Sequence, residues 1–391
     1  MPYAHRDIHD ADAHVVETPD WLERHADASL RAELPPVYVS TVRPDEGKQI
    51  ERYRSQHADP AYRAEDESQL MQRKNWAATG SFIKEDRPRA LDLLGFKSQL
   101  IFNTFLNSKL LEAERRKDPE YAYGFARTHN RAIVEFCSPD PRLLPTCYVP
   151  LGDFARSEQM AREVLDMGCA AMLVPSGCPA GHSPSHIGLD RVWAQAQEAG
   201  LPIVFHVGGG IRLPDGRLID PEYFENGGPP VPDFHGGDEN FRSVDYMGIP
   251  TAPMQTIATM IFDGVLDRFP ELRLGVIEQG ASWVPSWMRY MDSAFEAFRK
   301  REERLQKLSM LPSEFVRRQV RVTPYPAEDV GWIIANSADE ICMFSSDFPH
   351  VEGGRDPIRR FEASMQSCSE EQKQRFYFDN CVDLLGKALD G

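Results

Sequence analysis

The sequence of 391 residues predicts a single α/β domain, 1–391, that forms a distorted (β/α)8 barrel with a long insertion after the first strand. Three observations predict it. Short apolar runs alternate with segments of helical spacing along most of the chain, as in a parallel sheet covered by helices. Residues with metal-binding side chains directly follow several of these runs, where a barrel of this type carries its active site. Asp12-Ala13-His14, and no glycine-rich loop, ends the first strand, which disfavours the alternative of a doubly wound sheet.

The individual elements follow from the same pattern. Strands are predicted at 8–15, 99–105, 143–151, 169–175, 202–207, 272–278, 320–323 and 341–346. Helices are predicted at 89–94, 119–138, 155–166, 189–199, 254–268, 285–308, 326–336, 355–366 and 370–385. Gly95 and Gly200 directly follow two of these helices, as expected of residues that end a helix in a left-handed conformation.

The composition narrows the class of protein. Hydrophobic residues make up 41% of the chain and charged residues 27%, which is ordinary for a globular domain. The net charge of −16 argues against binding to nucleic acid or to an anionic membrane. The sequence shows no apolar run of membrane-spanning length, no secretory leader at its start and no C-x-x-C pair among its seven cysteines. We therefore expect a cytoplasmic protein with reduced thiols and a small-molecule partner.

The inserted segment, 17–90, is polar and rich in charges and prolines. Its aromatic residues, among them Trp21, Trp76 and Phe82, supply enough apolar surface to pack, which argues against the alternative of disorder. Long connections of this kind often cover a site. We expect an elaborated connection with short helices that serves as a lid or as an interface between subunits.

The first strand carries the densest group of ionisable residues. Because side chains alternate along a strand, Asp10, Asp12 and His14 share one face. Burying three such groups without partners is costly, and a divalent cation removes the cost because carboxylate oxygen and imidazole nitrogen are its ligands. A solvated edge strand is the alternative.

Further residues of the same types stand at the ends of later strands. His206 ends Ile-Val-Phe-His, Glu278 ends Gly-Val-Ile-Glu, and Asp347 follows Met-Phe-Ser-Ser. In a barrel these ends meet at one face, so we expect the three side chains to lie near Asp12 and His14. The alternatives are a hydrogen-bonded core histidine, a glutamate paired with an arginine, and a turn or helix-capping aspartate. His350 and His235 lie in loops and are weaker candidates, since loop histidines are commonly surface residues.

These motifs together resemble the amidohydrolase-related branch of the amidohydrolase superfamily, whose members include aminocarboxymuconate semialdehyde decarboxylase and γ-resorcylate decarboxylase. The resemblance extends over nearly the whole chain. It rests on the segments 10–14, 202–206, 268–285 and 344–350, with weaker matches at 89–96 and 376–380.

The resemblance implies a ligand set and a proton carrier. It assigns the metal ligands to Asp12, His14, His206 and Asp347, and gives Asp347 the role of proton carrier as well. Many relatives have a histidine near the end of the sixth strand, where this chain has Glu278, and the decarboxylases have a glutamate where this chain has Ala281. Asp347, Glu278 and His350 are therefore the expected catalytic residues, and the decarboxylase pattern is incomplete.

We expect, on this basis, a metal-dependent hydrolase that acts through a metal-activated water on a small carboxylated substrate. The aromatic residues Phe105, Trp283, Trp287, Tyr325 and Phe348 suit a cyclic or aromatic substrate, although such residues also build cores. One divalent ion is expected, Zn²⁺ or else Mn²⁺, because oxygen and nitrogen ligands accommodate both. A homodimer is expected by analogy with other barrels.

Three other functions remain open at this stage. The same metal site suits a non-oxidative decarboxylase of an aromatic or muconate-like acid. A barrel that binds metal without catalysis would keep the ligands but lack an open position. A metal-free enzyme that uses Glu278 and Asp347 as paired carboxylates would need them about 5 to 9 Å apart.

Overall fold

The computed structural model describes residues 3–35, 37, 46–115, 118–208, 221–224, 227–229 and 243–389. Within these residues, seven parallel strands pair in chain order, each with the next. They are β1 (His9–Val15), β2 (Ser98–Asn103), β3 (Leu143–Tyr148), β4 (Ala171–Leu173), β5 (Ile203–His206), β6 (Leu274–Ile277) and β7 (Val320–Val322). All seven are buried along their length, as expected of parallel strands that helices cover.

The segment 341–348 takes the eighth place and closes the barrel. On one side the N–H of Val322 donates to the carbonyl of Ile341 at 2.8 Å, and on the other the N–H of His14 donates to the carbonyl of Phe348 at 2.7 Å. It pairs only through isolated bridges and is less regular than the predicted strand, because Asp347 has a left-handed backbone with φ +51°. The predicted barrel is confirmed, with this irregular closing segment.

The described residues form seventeen α-helices, several of them short. They are α1 (Glu46–Ala58), α2 (Pro60–Ser68), α3 (Arg87–Leu94), α4 (Asn107–Arg115), α5 (Pro119–Cys137), α6 (Phe154–Asp166), α7 (Asp190–Ala199), α8 (Ser243–Gly248), α9 (Thr251–Phe262), α10 (Val265–Arg268), α11 (Val284–Phe298), α12 (Glu303–Gln306), α13 (Pro312–Gln319), α14 (Val330–Asn336), α15 (Pro357–Ser364), α16 (Glu370–Gln374) and α17 (Asn380–Leu385). None of the helices in the described part of the chain has the length and apolar character needed to cross a membrane.

Three predicted helices are interrupted, and three helices were not predicted. The helix expected at 254–268 is split at Gly264, whose φ of +73° ends α9 and starts α10. The helix expected at 285–308 ends at Phe298, and α12 follows as a separate turn. Between α16 and α17, residues 375–379 form a wider π-helical turn that buries two aromatic side chains. The unpredicted helices are α4, α8 and α13.

Part of the inserted segment packs on the carboxyl end of the barrel. The N–H of Asn75 donates to the carbonyl of Pro349 at 2.9 Å, and the ring of Trp76 lies 6.0 Å from that of Phe105 after β2. The Nε2 atom of His57 on α1 lies 2.8 Å from the carbonyl oxygen of Trp76, which connects α1 to this contact. The segment therefore lies beside the strand ends where the predicted site is located.

Arg87 joins the end of the segment to β1. This fully buried guanidinium donates to the carbonyl of His14 at 2.8 Å, to that of Gly80 at 3.2 Å and to Oε1 of Gln99 at 3.1 Å. Its carbon lies 5.1 Å from the centroid of the Phe348 ring. A Cβ on Gly80 would stand 2.7 Å from the Cα of Arg87, so this close approach requires glycine. Arg87 thereby connects the backbone of β1 with that of the inserted segment beneath the candidate site.

Candidate metal centre

The three ionisable residues of β1 divide into two groups. Asp10 lies deeper in the barrel, where its carboxylate accepts hydrogen bonds from the amide of Gln99 at 2.8 Å and from the N–H and hydroxyl of Ser346 at 2.8 and 2.6 Å. Burial raises the pKa of Asp10 to about 7, even though these hydrogen bonds favour its charged form. Asp10 therefore ties β1 to the closing segment, whereas Asp12 and His14 lie in the cluster at the strand ends.

Asp12, His14 and His206 converge at the carboxyl end of the barrel. Oδ1 of Asp12 lies 3.2 Å from Nε2 of His14 and 3.5 Å from Nε2 of His206. All three atoms are buried, and none has a hydrogen-bond partner among the described residues. Buried polar atoms without partners are rare and call for an explanation.

The orientation of the two imidazoles provides that explanation. Nδ1 of His14 lies 3.0 Å from the carbonyl oxygen of Asn103, and Nδ1 of His206 lies 3.0 Å from that of Val207. A carbonyl oxygen only accepts, so Nδ1 carries the proton and the lone pair of Nε2 points at the carboxylate of Asp12. Burial lowers the pKa of His14 to about 4, which keeps its ring neutral at pH 7. Acceptors thus face each other, an arrangement that fits a bound cation.

The charge state of the Asp12 carboxylate also fits a bound cation. Burial raises its pKa, but the imidazoles of His14 and His206 outweigh burial and hold the pKa of Asp12 below its usual range. The carboxylate is therefore ionised at neutral pH, which is the form that binds a metal ion.

Glu278 and Asp347 complete the ring of donors. Oε2 of Glu278 lies 3.2 Å from Nε2 of His206 and 3.7 Å from that of His14, and Oδ1 of Asp347 lies 3.4 Å from Nε2 of His14. Both have left-handed backbones, with φ of +54° for Glu278 and +51° for Asp347. Such backbones cost about 1 to 3 kcal/mol each in residues other than glycine and concentrate at functional sites.

His350 pairs with Asp347 on the outer side of the cluster. Its Nδ1 atom lies 2.9 Å from Oδ1 of Asp347, its Nε2 atom lies 2.9 Å from Oγ1 of Thr104, and its ring stacks on that of His14 with centroids 3.8 Å apart. Burial alone would lower the pKa of His350, but Asp347 outweighs burial and raises it to about 9. His350, predicted as a weak loop candidate, is therefore a partly buried neighbour of the donors.

Two overlapping sets of donors could hold an ion. One consists of Asp12, His14, His206 and Glu278, and the other of His14, Glu278, Asp347 and His350, with the ligand atoms of each set within 4.8 Å of one another. Both sets include His14, which has one nitrogen available because the other bonds to a backbone carbonyl. Because the two sets also share Glu278, they belong to one cluster of donors.

The structure also bears on the alternatives considered for Glu278 and Asp347. Of Arg273 and Arg289, two candidate partners for Glu278, the first pairs with Asp383. Oxygens of Glu278 and Asp347 lie 3.7 and 3.4 Å from the same Nε2 atom of His14, an arrangement that favours a metal centre over a metal-free pair of carboxylates. His235 lies outside the described residues.

The expected aromatic lining is only partly found. Phe348 and Trp287 are buried, and Phe348 packs against Arg87, so both belong to the core. Tyr325 donates its hydroxyl to the carbonyl of Glu278 at 2.7 Å and Phe105 faces Trp76, so these two lie beside the cluster.

Sequence reasoning missed Lys74, which precedes the contact between Asn75 and Pro349. The Nζ atom of Lys74 is buried and has no hydrogen-bond partner among the described residues. Burial lowers the pKa of Lys74 to about 8, while the carboxylates of Asp347 and Glu352 act in the opposite direction. The group is still mostly charged at pH 7. Its only sequence signal is its place in a segment expected to cover the site.

A closed barrel with buried carboxylate and imidazole donors at its strand ends defines a class, the metal-dependent enzymes of barrel fold. The sequence profile of the amidohydrolase family matches residues 9–387. The chain therefore belongs to the amidohydrolase family. It is a metal-dependent enzyme of the amidohydrolase superfamily, a hydrolase or a carboxy-lyase. No curated protein matches the chain.

Solved structures share the fold over the full length of the chain. An amidohydrolase from Mycobacterium avium subsp. paratuberculosis K-10 superposes with a TM-score of 0.71 at 22% identity, covering 98% of this chain and 100% of the other. A 5-carboxyvanillate decarboxylase from Novosphingobium aromaticivorans, solved with manganese and 3-methoxy-4-hydroxy-5-nitrobenzoic acid, gives a TM-score of 0.63 at 16% identity, covering 97% of both chains. For 2,6-dihydroxybenzoate decarboxylase from Rhizobium the TM-score is 0.60 at 15% identity, with 99% and 100% covered.

Proposed function

We propose that this enzyme is a non-oxidative, metal-dependent decarboxylase of an aromatic or muconate-like acid. The observation that carries the proposal is the buried ammonium group of Lys74, which has no hydrogen-bond partner among the described residues and interacts electrostatically with Asp347 of the donor cluster. A buried cation of this kind matches an anionic substrate. The full-length likeness to two decarboxylases of aromatic acids supports the same choice. We therefore put decarboxylation ahead of hydrolysis, the reverse of the order expected from the sequence.

Asp12, His14, His206 and Asp347 would hold the metal ion. A bound divalent cation would supply the positive charge that chelates a substrate carboxylate with its neighbouring hydroxyl group. The oxygen and nitrogen donors suit Zn²⁺ and Mn²⁺ alike. The manganese bound in 5-carboxyvanillate decarboxylase makes Mn²⁺ the first ion to test.

Residues of the protein would supply the proton that decarboxylation consumes. In decarboxylation the ring carbon that bears the carboxylate takes up a proton, the bond to the carboxyl carbon breaks, its electron pair returns to the ring, and CO₂ leaves. Asp347 is proposed to deliver this proton. His350, whose Nδ1 lies 2.9 Å from Asp347 and whose Nε2 lies 2.9 Å from Thr104, would replenish it.

Hydrolysis remains the second candidate because of Glu278. Its carboxylate lies 3.2 Å from His206 and would be placed to accept a proton from an attacking water. The two functions differ in substrate: the hydrolase acts on amides or lactones and releases no CO₂.

The test is a direct comparison of both reactions. Protein reconstituted with Mn²⁺ or with Zn²⁺ is incubated with a panel of hydroxybenzoic acids and, separately, of amides and lactones. We expect CO₂ release from at least one acid, reduced about 10²-fold or more in Asp347→Asn, since general acid catalysis contributes about 10² to 10⁴. Asp7→Asn, which changes an exposed aspartate before β1, is the matched control. Hydrolysis of amides or lactones without CO₂ release would refute the decarboxylase.

The inserted segment is proposed to cover the active site. The contacts of Asn75 with Pro349 and of Trp76 with Phe105 at the strand ends support this proposal, as does the neighbouring Lys74, whose charge suits an anionic substrate. Homodimer formation remains a prediction, and size-exclusion chromatography with light scattering would test it.

A further inference from the structure

The turn that carries Glu278, 278–283, is hydrogen-bonded to the neighbouring loop 323–328. The N–H of Glu278 donates to Oγ1 of Thr323 at 2.9 Å, and the carbonyl of Glu278 accepts a hydrogen bond from the hydroxyl of Tyr325 at 2.7 Å. Both backbone polar groups of Glu278 are thereby bound by residues that follow β7. These bonds fix the left-handed backbone, φ +54°, that directs the side chain into the donor cluster.

The rest of the turn is held from the same loop. The carboxylate of Glu328 accepts hydrogen bonds from the N–H groups of Ala281 at 3.0 Å, Ser282 at 2.7 Å and Tyr325 at 2.6 Å. The ring of Tyr325 packs on Gly280, where a Cβ would stand 3.0 Å from a ring carbon. Tyr325 is therefore fixed from both sides while it holds the carbonyl of Glu278.

A second connection links the turn to His206. The amide of Gln279 donates to Oγ of Ser176 at 3.2 Å, and the hydroxyl of Ser176 donates to the carbonyl of His206 at 2.8 Å. The backbones that carry Glu278 and His206 are thus held in one network. Such support is what precise orientation of a metal ligand requires.

We propose that Glu278 is a ligand of the metal ion and that Tyr325 is its positioning residue. The proposal rests on the metal centre of the proposed function. Glu278 directs Oε2 at the open nitrogens of both histidines, at 3.2 and 3.7 Å, whereas the pair of Asp347 and His350 stands ready for proton transfer. The carboxylate of Glu278 thereby occupies the position of a metal-binding donor. Its backbone is held in place, as precise orientation of a metal ligand requires.

The test measures metal affinity separately from turnover. Metal-free protein is titrated with Mn²⁺ and with Zn²⁺ in competition with a chromophoric chelator, for the wild type, Glu278→Gln, Tyr325→Phe and Tyr246→Phe. Tyr246 is the matched control, because its ring lies 5.2 Å from that of Tyr325, yet no hydrogen bond from it to Glu278 is found among the described residues. Loss of an outer partner typically weakens metal binding about 10- to 100-fold, which is the expectation for Tyr325→Phe. Glu278→Gln is expected to weaken it at least as much, and Tyr246→Phe to leave it unchanged.

The outcomes separate this proposal from the proposed function. If Glu278→Gln binds the metal ion with wild-type affinity but loses turnover, Glu278 is an acid or base and not a ligand. If Tyr325→Phe binds the ion with wild-type affinity, the role of Tyr325 is overturned. Both results leave the metal centre intact. A wild-type protein that binds no ion would overturn the metal centre itself. Thermal unfolding of the metal-free variants controls for folding. If Tyr325→Phe does not fold, Thr323→Val tests the other backbone bond of Glu278, and wild-type affinity there would overturn the proposed support.

Discussion

The sharpest prediction on stability concerns Glu114 on α4. This buried carboxylate accepts a hydrogen bond from the hydroxyl of Tyr148 at 3.0 Å and another from the N–H of Leu151 at 3.0 Å. Burial raises the pKa of Glu114 from 4.5 to about 7, although these hydrogen bonds favour its charged form. The change we propose is Glu114→Gln, which keeps the shape of the side chain and removes its charge.

The magnitude follows from the two pKa values. Below pH 4.5 the carboxyl group is protonated in both the folded and the unfolded chain, so it adds no pH dependence. Between pH 4.5 and about 7 the unfolded chain loses the proton while the folded chain keeps it, so the free energy of unfolding falls as the pH rises. At 1.36 kcal/mol per unit, the loss amounts to about 3 kcal/mol and stays constant above pH 7.

Urea unfolding of the metal-free wild type and of Glu114→Gln at pH 4.5, 5.5, 6.5 and 7.5 measures this loss. The stability of the variant relative to the wild type should increase by about 3 kcal/mol across the series. Asp10 also titrates near pH 7, but it is present in both proteins and cancels in the comparison. Glu112→Gln, an exposed change on the same helix, is the control. A difference between Glu114→Gln and the wild type that does not vary with pH would refute the reasoning.

Three further predictions concern the site and its support. Arg87→Met should lower the free energy of unfolding by about 3 kcal/mol in urea, because three buried acceptors lose their donor, and a loss under about 0.5 kcal/mol would contradict this. Lys74→Met should raise the KM for an acid substrate about 10-fold or more, since a charge-assisted contact contributes about 1.5 to 3 kcal/mol, and an unchanged KM in steady-state kinetics would remove Lys74 from substrate binding. His206→Ala should reduce the metal bound to the purified protein, measured by mass spectrometry, from about one ion per chain to a small fraction of that. Added metal should raise the Tm of the wild type, and this rise should be absent in His206→Ala.

The sequence was sufficient to predict the barrel and the meeting of its polar strand ends. Asp12, His206 and Asp347 are far apart in the chain, but each directly follows or ends an apolar run. Since the carboxyl ends of parallel strands share one face of a barrel, the fold alone brings them together. Glu278 follows the same rule.

The remaining features depend on contacts that leave no local pattern. Lys74 reaches the cluster because Asn75 bonds to Pro349, and Tyr325 acts on a turn that precedes it by some forty residues. The left-handed backbone of Glu278 is rare for its residue type, and hydrogen bonds from Thr323 and Tyr325 hold it. The separation of Asp10 from Asp12 was equally hidden, because the pairing of β1 with β2 shifts its register between Asp10 and Ala13, an irregularity that leaves no pattern in the sequence.

The closure of the barrel by the segment 341–348 has a consequence for the order in which the donors are synthesised. Asp12 lies on the first strand and Asp347 on the last segment, and the N–H of Asp347 donates to the carbonyl of Asp12 at 2.9 Å. A nascent chain on the ribosome carries Asp12 and His14 early, gains His206 near its middle and Glu278 later, and receives Asp347 only near its end. The cluster with all of its donors therefore forms only after the closing segment has been synthesised and has paired with β1.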